Sequence, residues 1–376
     1  MPILPFELIE DILCRLPVKS LKRFRAVAKS CCFLIDSKNF TKLHLQQSLV
    51  TNSNRHLILG GHGLYNVDLD LLDNAHVIKP PFYYKSFDGI CNSCNGIVLV
   101  MSEPPGLWNP FSREYKILPN CSGQRPTPLE SYSKTVHGFG YDSRNDDYKV
   151  VRVVEFRHIL SNIWLSSETM IYSLKANSWR RIEDFPYRLP LLRGNWGVHV
   201  NGSLHTVVEK PDDMGAPRIM AFSLQTEKHY EVMIPRGSQI RGYDVSTHMI
   251  EGCLCLVCTN RSGVVIWIMK EYGVEESWIM LLSVSRSTLE YNHFVKPLAY
   301  SRDGDKVLLN CDEKRLVWYD LRTEAVHNVS VDGLPFVFCA EVCVESLVSL
   351  NGRDEVKKQR QGKKGGKTAK FDQVIR

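Results

Sequence analysis

Three segments of the chain can be laid on one another: "MIYSLKANSWRRI" from Met170, "IMAFSLQTEKHYEV" from Ile219 and "RLVWYDLRTEAVHNV" from Arg315. Each runs aromatic, aliphatic two positions on, polar turn, second apolar-alternating run. The aligned pairs are Tyr172/Leu174, Phe222/Leu224 and Tyr319/Leu321. Looser copies, "LYNVDLDLL", "LWNPFSREYKIL" and "VIWIMKEYGVEESWIML", place Tyr65, Trp108 and Trp267 in the same role. The six aromatics are 43, 64, 50, 45 and 52 residues apart. A second phrase precedes several of them: "SCNGIVLV", "HVNGSLHTV", "MIEGCLCLV" and "YSRDGDKVLL" each set a Gly-containing turn before an apolar strand. The order turn, strand, aromatic strand, turn, strand makes a four-stranded antiparallel unit of about 50 residues. Such units close radially and so protect their edges. The expected fold of this region is a β-propeller of about six blades, with an irregular β-sandwich as the alternative.

The rest of the sequence narrows the class. Among 376 residues, 44% are hydrophobic and 23% charged, ordinary values for a globular chain. The net charge of +6 sits in the last stretch: residues 351–376 hold nine Lys/Arg and three Asp/Glu, so the body is neutral. A nucleic-acid-binding body carries a basic excess, so that reading loses its support. No stretch reaches the roughly 18 apolar residues of a membrane helix. Near the start, Glu7, Glu10 and Asp11 stand where a secretory signal needs basic residues. The expectation is a cytoplasmic or nuclear protein with its twelve cysteines reduced.

The first 45 residues are different in kind. Pro5 suits a first helical turn. Leu8, Ile9, Ile12, Leu13 and Leu16 follow at helical spacing, and Pro17 ends the run. A second helix is expected from about Lys19, with Leu21, Phe24 and Val27 as its stripe, and a short apolar stretch "CCFLIDSKNF" comes next. Two or three helices of this size bury too little to stand alone. Either they pack on the propeller, or a partner completes their apolar face.

The stretch "LPFELIEDILCRLPVKSLKRFRAVAKS" resembles an F-box: Leu4-Pro5, Arg15-Leu-Pro-Val-Lys-Ser-Leu21 and Arg23-Phe-Arg25 match the family pattern. "SCNGIVLV…LWNP" and "FGYDSRNDDYKVVRV" resemble phrases of plant F-box-associated domains. The resemblance as a whole is to plant F-box proteins with a kelch-like associated domain, some of which act in self-incompatibility and some in defence. It implies docking on the Skp adaptor of a cullin-based ubiquitin ligase through Leu4, Pro5, Leu8, Ile12, Leu16, Pro17, Val18 and Leu21, supported by Phe24 and Val27. It implies a target protein held by propeller loops, with the chain itself performing no bond chemistry. One departure stands out: the family usually has Trp after "KS", and here Cys31 and Cys32 follow. Phe33 is the side chain available to refill the space. The expected domains are an F-box at 1–45, a linker at 46–55, a propeller at 56–346 and a disordered basic tail at 347–376.

Other chemistry is weakly signalled. Cys91 and Cys94, with Cys253, Cys255 and Cys258, have spacings a zinc site uses, but they lie in apolar strands where cysteine serves as a small hydrophobe. The histidines are scattered, and none sits beside a known nucleophile motif. No catalytic residue, metal or cofactor is expected. The loop aromatics Trp164, Tyr187, Trp196 and Tyr291 are the candidates for target contact. The rival reading is a propeller lectin or enzyme with helices packed on it. A third is an F-box protein acting outside the ligase.

Overall fold

A computed structural model describes residues 5–84, 89–121, 130–189, 197–208, 217–236, 240, 244–291 and 293–351. Among these, the strands form six four-stranded antiparallel sheets, as in a six-bladed propeller. All six repeat aromatics fall on the third strand of a blade, from Tyr65 in Leu64–Asp68 to Tyr319 in Arg315–Asp320. The Gly-containing turns join first strands to second strands. Asn95-Gly96, Asn201-Gly202 and Glu251-Gly252 all have positive φ at both residues, the geometry of the tight turn that matches strand twist.

Blade 1 is assembled from both ends of the described chain. Its first strand is Cys339–Val344, which pairs antiparallel with Arg55–Gly60. The repeat therefore starts, in sequence, at the second strand of a blade, which is why the first copy lacks its opening phrase. Apolar side chains fill the spaces between neighbouring blades, as where Leu57, Leu59 and Val67 of blade 1 meet Leu298, Leu308 and Leu316 of blade 6.

Four helices precede the ring: α1 (Phe6–Cys14), α2 (Val18–Phe24), α3 (Lys29–Ile35) and α4 (Lys38–Val50). The "CCFLIDSKNF" stretch is thus two helices, broken where the Ser37 hydroxyl caps α4 by accepting the Phe40 N–H at 3.1 Å. The expected linker at 46–55 is corrected: α4 continues to Val50 and the first propeller strand begins at Arg55. The expected tail is shortened as well. Residues 347–350 are docked, with Leu347 against the helices and Leu350 buried beside Phe139 and Tyr172. The remainder of the tail, 352–376, lies outside the described residues.

Candidate functional site

The helices present two kinds of apolar surface. On α1, Leu13 is buried and Ile9 and Leu16 are largely covered, while Leu8 and Ile12 stay half exposed. The single broad stripe read from the sequence is therefore two stripes, one inward at i, i+4, i+7 and one outward at i, i+4. Phe6 joins the outward group, and Phe24, Val27 and Phe33 form a second exposed group around α2 and α3. Pro5 and Pro17 are exposed.

Two members of the expected adaptor set are corrected. Val18 and Leu21 are 1% and 0% exposed and face the protein itself. The reason is the seat of α2. The Val18 N–H donates to Glu345 Oε2 at 2.6 Å. Lys22 Nζ donates to the carbonyls of Phe111 and Ser112 at 2.8 and 2.9 Å. The helix N-terminus, with its unpaired N–H groups, meets a carboxylate from the propeller. Leu4 lies outside the described residues.

Further contacts fix the same seat. Lys42 of α4 pairs with Asp146 at 3.3 Å, Asn52 Nδ2 donates to Glu251 at 2.9 Å, and His56 meets the other Glu345 oxygen at 3.2 Å. Asp146 and Glu251 are in turns from first to second strands, and Phe111 and Ser112 are in a third-to-fourth turn. Antiparallel geometry puts all such turns on one face of the disc. The helices sit on that face. The second-to-third loops and the connections between blades lie on the other.

Cys31 is half-buried against the helical core. Phe33 does not refill the space of the family tryptophan: it is 78% exposed, because at the middle of α3 its neighbours Leu34 and Ile35 take the inward positions.

The four loop aromatics divide. Trp164 begins a third strand on the far face and is half-buried. Tyr187 lies on the connection after blade 3 and packs edge-on to Phe185, with ring centroids 5.5 Å apart. Tyr291 is corrected: it is 3% exposed, inside the cluster between blades 5 and 6, and offers no surface. Trp196 lies outside the described residues.

The propeller axis holds polar residues. A cavity of about 40 Å³ is lined by Asn92, Ser93, His199, His248, Lys296 and Glu341, room for water rather than an organic substrate. Lys296 and Glu341 form a direct ion pair, and Lys296 also donates to the Ala340 carbonyl at 2.8 Å. Ser246 and His248 Nε2 are 2.9 Å apart, a spacing seen in nucleophilic sites. However, burial and the nearby Lys296 push the His248 imidazole down to about 3, and among the described residues its Nδ1 has no orienting partner. A base lowered in this way is poorly matched to taking a proton from serine near neutrality. Burial likewise pushes the Cys91, Cys94 and Cys258 thiols up to about 12, so they pack as protonated small hydrophobes. Among the described residues no group of three or more His, Cys, Asp or Glu is placed to hold a metal.

Comparison with known proteins agrees with this geometry. Residues 1–43 match the F-box domain, and residues 61–350 match the F-box associated beta propeller domain. The F-box protein CPR1 of Arabidopsis thaliana is 34% identical over 369 residues, covering 93% of this chain and 89% of that protein. The F-box/kelch-repeat protein At3g23880 of Arabidopsis thaliana is 28% identical over 369 residues, covering 93% and 96%. Among solved structures, oligogalacturonate lyase in complex with manganese aligns over 74% of both chains with 12% identity and a TM-score of 0.44, a likeness too slight to carry an argument about activity. An F-box domain implies binding of a Skp-type adaptor. Helices seated on a six-bladed ring, with both domains matched in this order, place the chain in its family: it belongs to the F-box proteins that carry an F-box associated beta propeller domain.

Proposed function

We propose that the chain is the substrate-recognition subunit of a Skp-cullin-F-box ubiquitin ligase. The open stripe of α1 holds the Skp adaptor and, through it, the cullin. The far face of the propeller holds a target protein for ubiquitination and degradation. The chain forms and breaks no bond itself. It raises the local concentration of target lysines near the charged conjugating enzyme, which is catalysis by proximity. The work is done in the cytosol or nucleus.

The observation that carries this reading is the division of α1 and α2 into a locked side and an open side. The locked side is fixed to the propeller by Glu345 and by the Phe111 and Ser112 carbonyls. The open side leaves Phe6, Leu8 and Ile12 half exposed among the described residues. Such apolar side chains on a well-seated helix are accounted for by a partner helix.

The test is capture of the purified chain on immobilised Skp adaptor, wild type beside Leu8→Asp and Ile12→Asp. Both variants are expected to keep the wild-type melting temperature and lose capture. Wild type that is not captured, or variants captured equally well, sink the proposal.

A further inference from the structure

The innermost strands of five blades bring polar side chains together at the axis. Asn92 comes from Ile90–Cys94, His199 from Val198–Val200 and His248 from Asp244–Ile250. Lys296 comes from Val295–Tyr300, and Glu341 from the ring-closing strand Cys339–Val344. All five line the cavity of about 40 Å³. One water needs about 10–15 Å³ of such space, so the cavity has room for more than one.

The protein serves these groups only in part. His248 is 1% exposed; Ser246 takes its Nε2 at 2.9 Å, and its buried Nδ1 meets no protein partner among the described residues. Lys296 is 8% exposed and has three N–H groups. One donates to the Ala340 carbonyl at 2.8 Å and one to Glu341 Oε1. The third meets no protein acceptor among the described residues, and neither Glu341 Oε2 nor Asn92 Oδ1 accepts a protein hydrogen bond there. Asn92 is itself held in place, since its Nδ2 donates to the Gly197 carbonyl at 2.8 Å. Buried polar groups left unpaired are costly, and one donor-acceptor molecule among them can satisfy several at once.

The charges at the cavity select the occupant. Lys296 and Glu341 pair with each other and cancel. Burial keeps the His199 and His248 imidazoles neutral. An anion drawn to Lys296 would lie against Glu341, and a cation drawn to Glu341 would lie against Lys296. The fitting ligand is neutral, very small, and able both to donate and to accept. Hydration from within also offsets the cost of taking an ion pair out of bulk water. We infer that the axial cavity is a binding site for a cluster of internal waters. The cluster links His248 of blade 5 to Lys296 of blade 6 and Glu341 of blade 1, beside the strand that closes the ring. This site is independent of the receptor reading.

The test joins crystallography of the full chain to oxygen-17 relaxation dispersion, which counts long-lived internal waters. In wild-type crystals, density that refines as water is expected within hydrogen-bond distance of His248 Nδ1 and Lys296 Nζ. Soaks in bromide and in manganese(II) should leave no anomalous peak there. His248→Leu removes the polar ring and should lose at least one long-lived water from the wild-type count. His248→Gln keeps a donor and an acceptor and should retain that count. A cavity without density, an anomalous bromide or manganese peak between Lys296 and Glu341, or an unchanged count in His248→Leu overturns the inference. The wild-type crystals and their soaks decide the matter even where His248→Leu fails to fold.

Discussion

The Val18 N–H and the Glu345 carboxylate lie 2.6 Å apart although 327 residues separate them in sequence. That single contact joins the start of α2 to the residue that follows the ring-closing strand. Removing the carboxylate by Glu345→Ala leaves a buried N–H unpaired, at a cost of about 1–3 kcal/mol. The expected signature is local: faster amide exchange in α1 and α2, with propeller amides unchanged. Glu345→Gln keeps an acceptor and should recover most of the protection. Uniform acceleration across the ring, or none in α2, would contradict the role given to this contact.

Leu21 and Leu8 separate structure from recognition. Leu21 is fully buried beside Leu13 and Phe40. Leu21→Ala should destabilise the helical unit by about 2–5 kcal/mol. Leu8→Ala should change stability by no more than about 0.5 kcal/mol, since it removes exposed surface. It should nevertheless weaken adaptor affinity measurably. Denaturation curves and adaptor titrations on both variants decide this; the reverse pattern means the inward and outward stripes are misassigned.

Cys31 is a small side chain at the edge of the helical core, and the neighbouring Phe33 turns away from it. An aromatic in that position restores packing worth about 3–5 kcal/mol if fully buried. Cys31→Trp is therefore expected to lower the dissociation constant for the adaptor. An unchanged constant, measured by calorimetry, would show that the position makes no difference to docking.

Acid should destabilise the ring well above the carboxylate range. Burial holds His137, His199 and His205 down to about 4 and His248 to about 3, against an ordinary 6.5. These imidazoles are neutral when folded and take up protons more readily when unfolded. Their contribution is complete above 6.5 and is lost as pH falls toward the folded values. The melting temperature should drop steeply between about pH 6.5 and 4, and His199→Asn with His205→Gln should flatten that slope. A melting temperature that holds steady across this window would refute the assignment.

Much of this was legible in the sequence. The aromatic-x-aliphatic phrase marks third strands because that position packs between neighbouring blades, and Asn-Gly or Glu-Gly pairs mark the tight turns because both residues need positive φ. Three things stayed hidden. Helical spacing shows that Leu8, Ile12, Leu13, Val18 and Leu21 are apolar, but it does not say which of two surfaces each one serves. That depends on Glu345, which no local pattern links to α2. The strand Cys339–Val344 looks like the start of another repeat until its partner is known to be Arg55–Gly60. Tyr291 reads as a loop aromatic, but its connection folds inward between two blades.

Ring closure by the strand Cys339–Val344 also orders events during synthesis. The four helices leave the ribosome before the propeller, yet the carboxylate at the start of α2 is made 327 residues after Val18. A nascent chain stopped before that point has the contacts of Lys22, Lys42 and Asn52 to earlier blades but lacks the carboxylate that caps the start of α2. The final tie between α2 and the disc thus comes only once Cys339–Val344 has closed the circle.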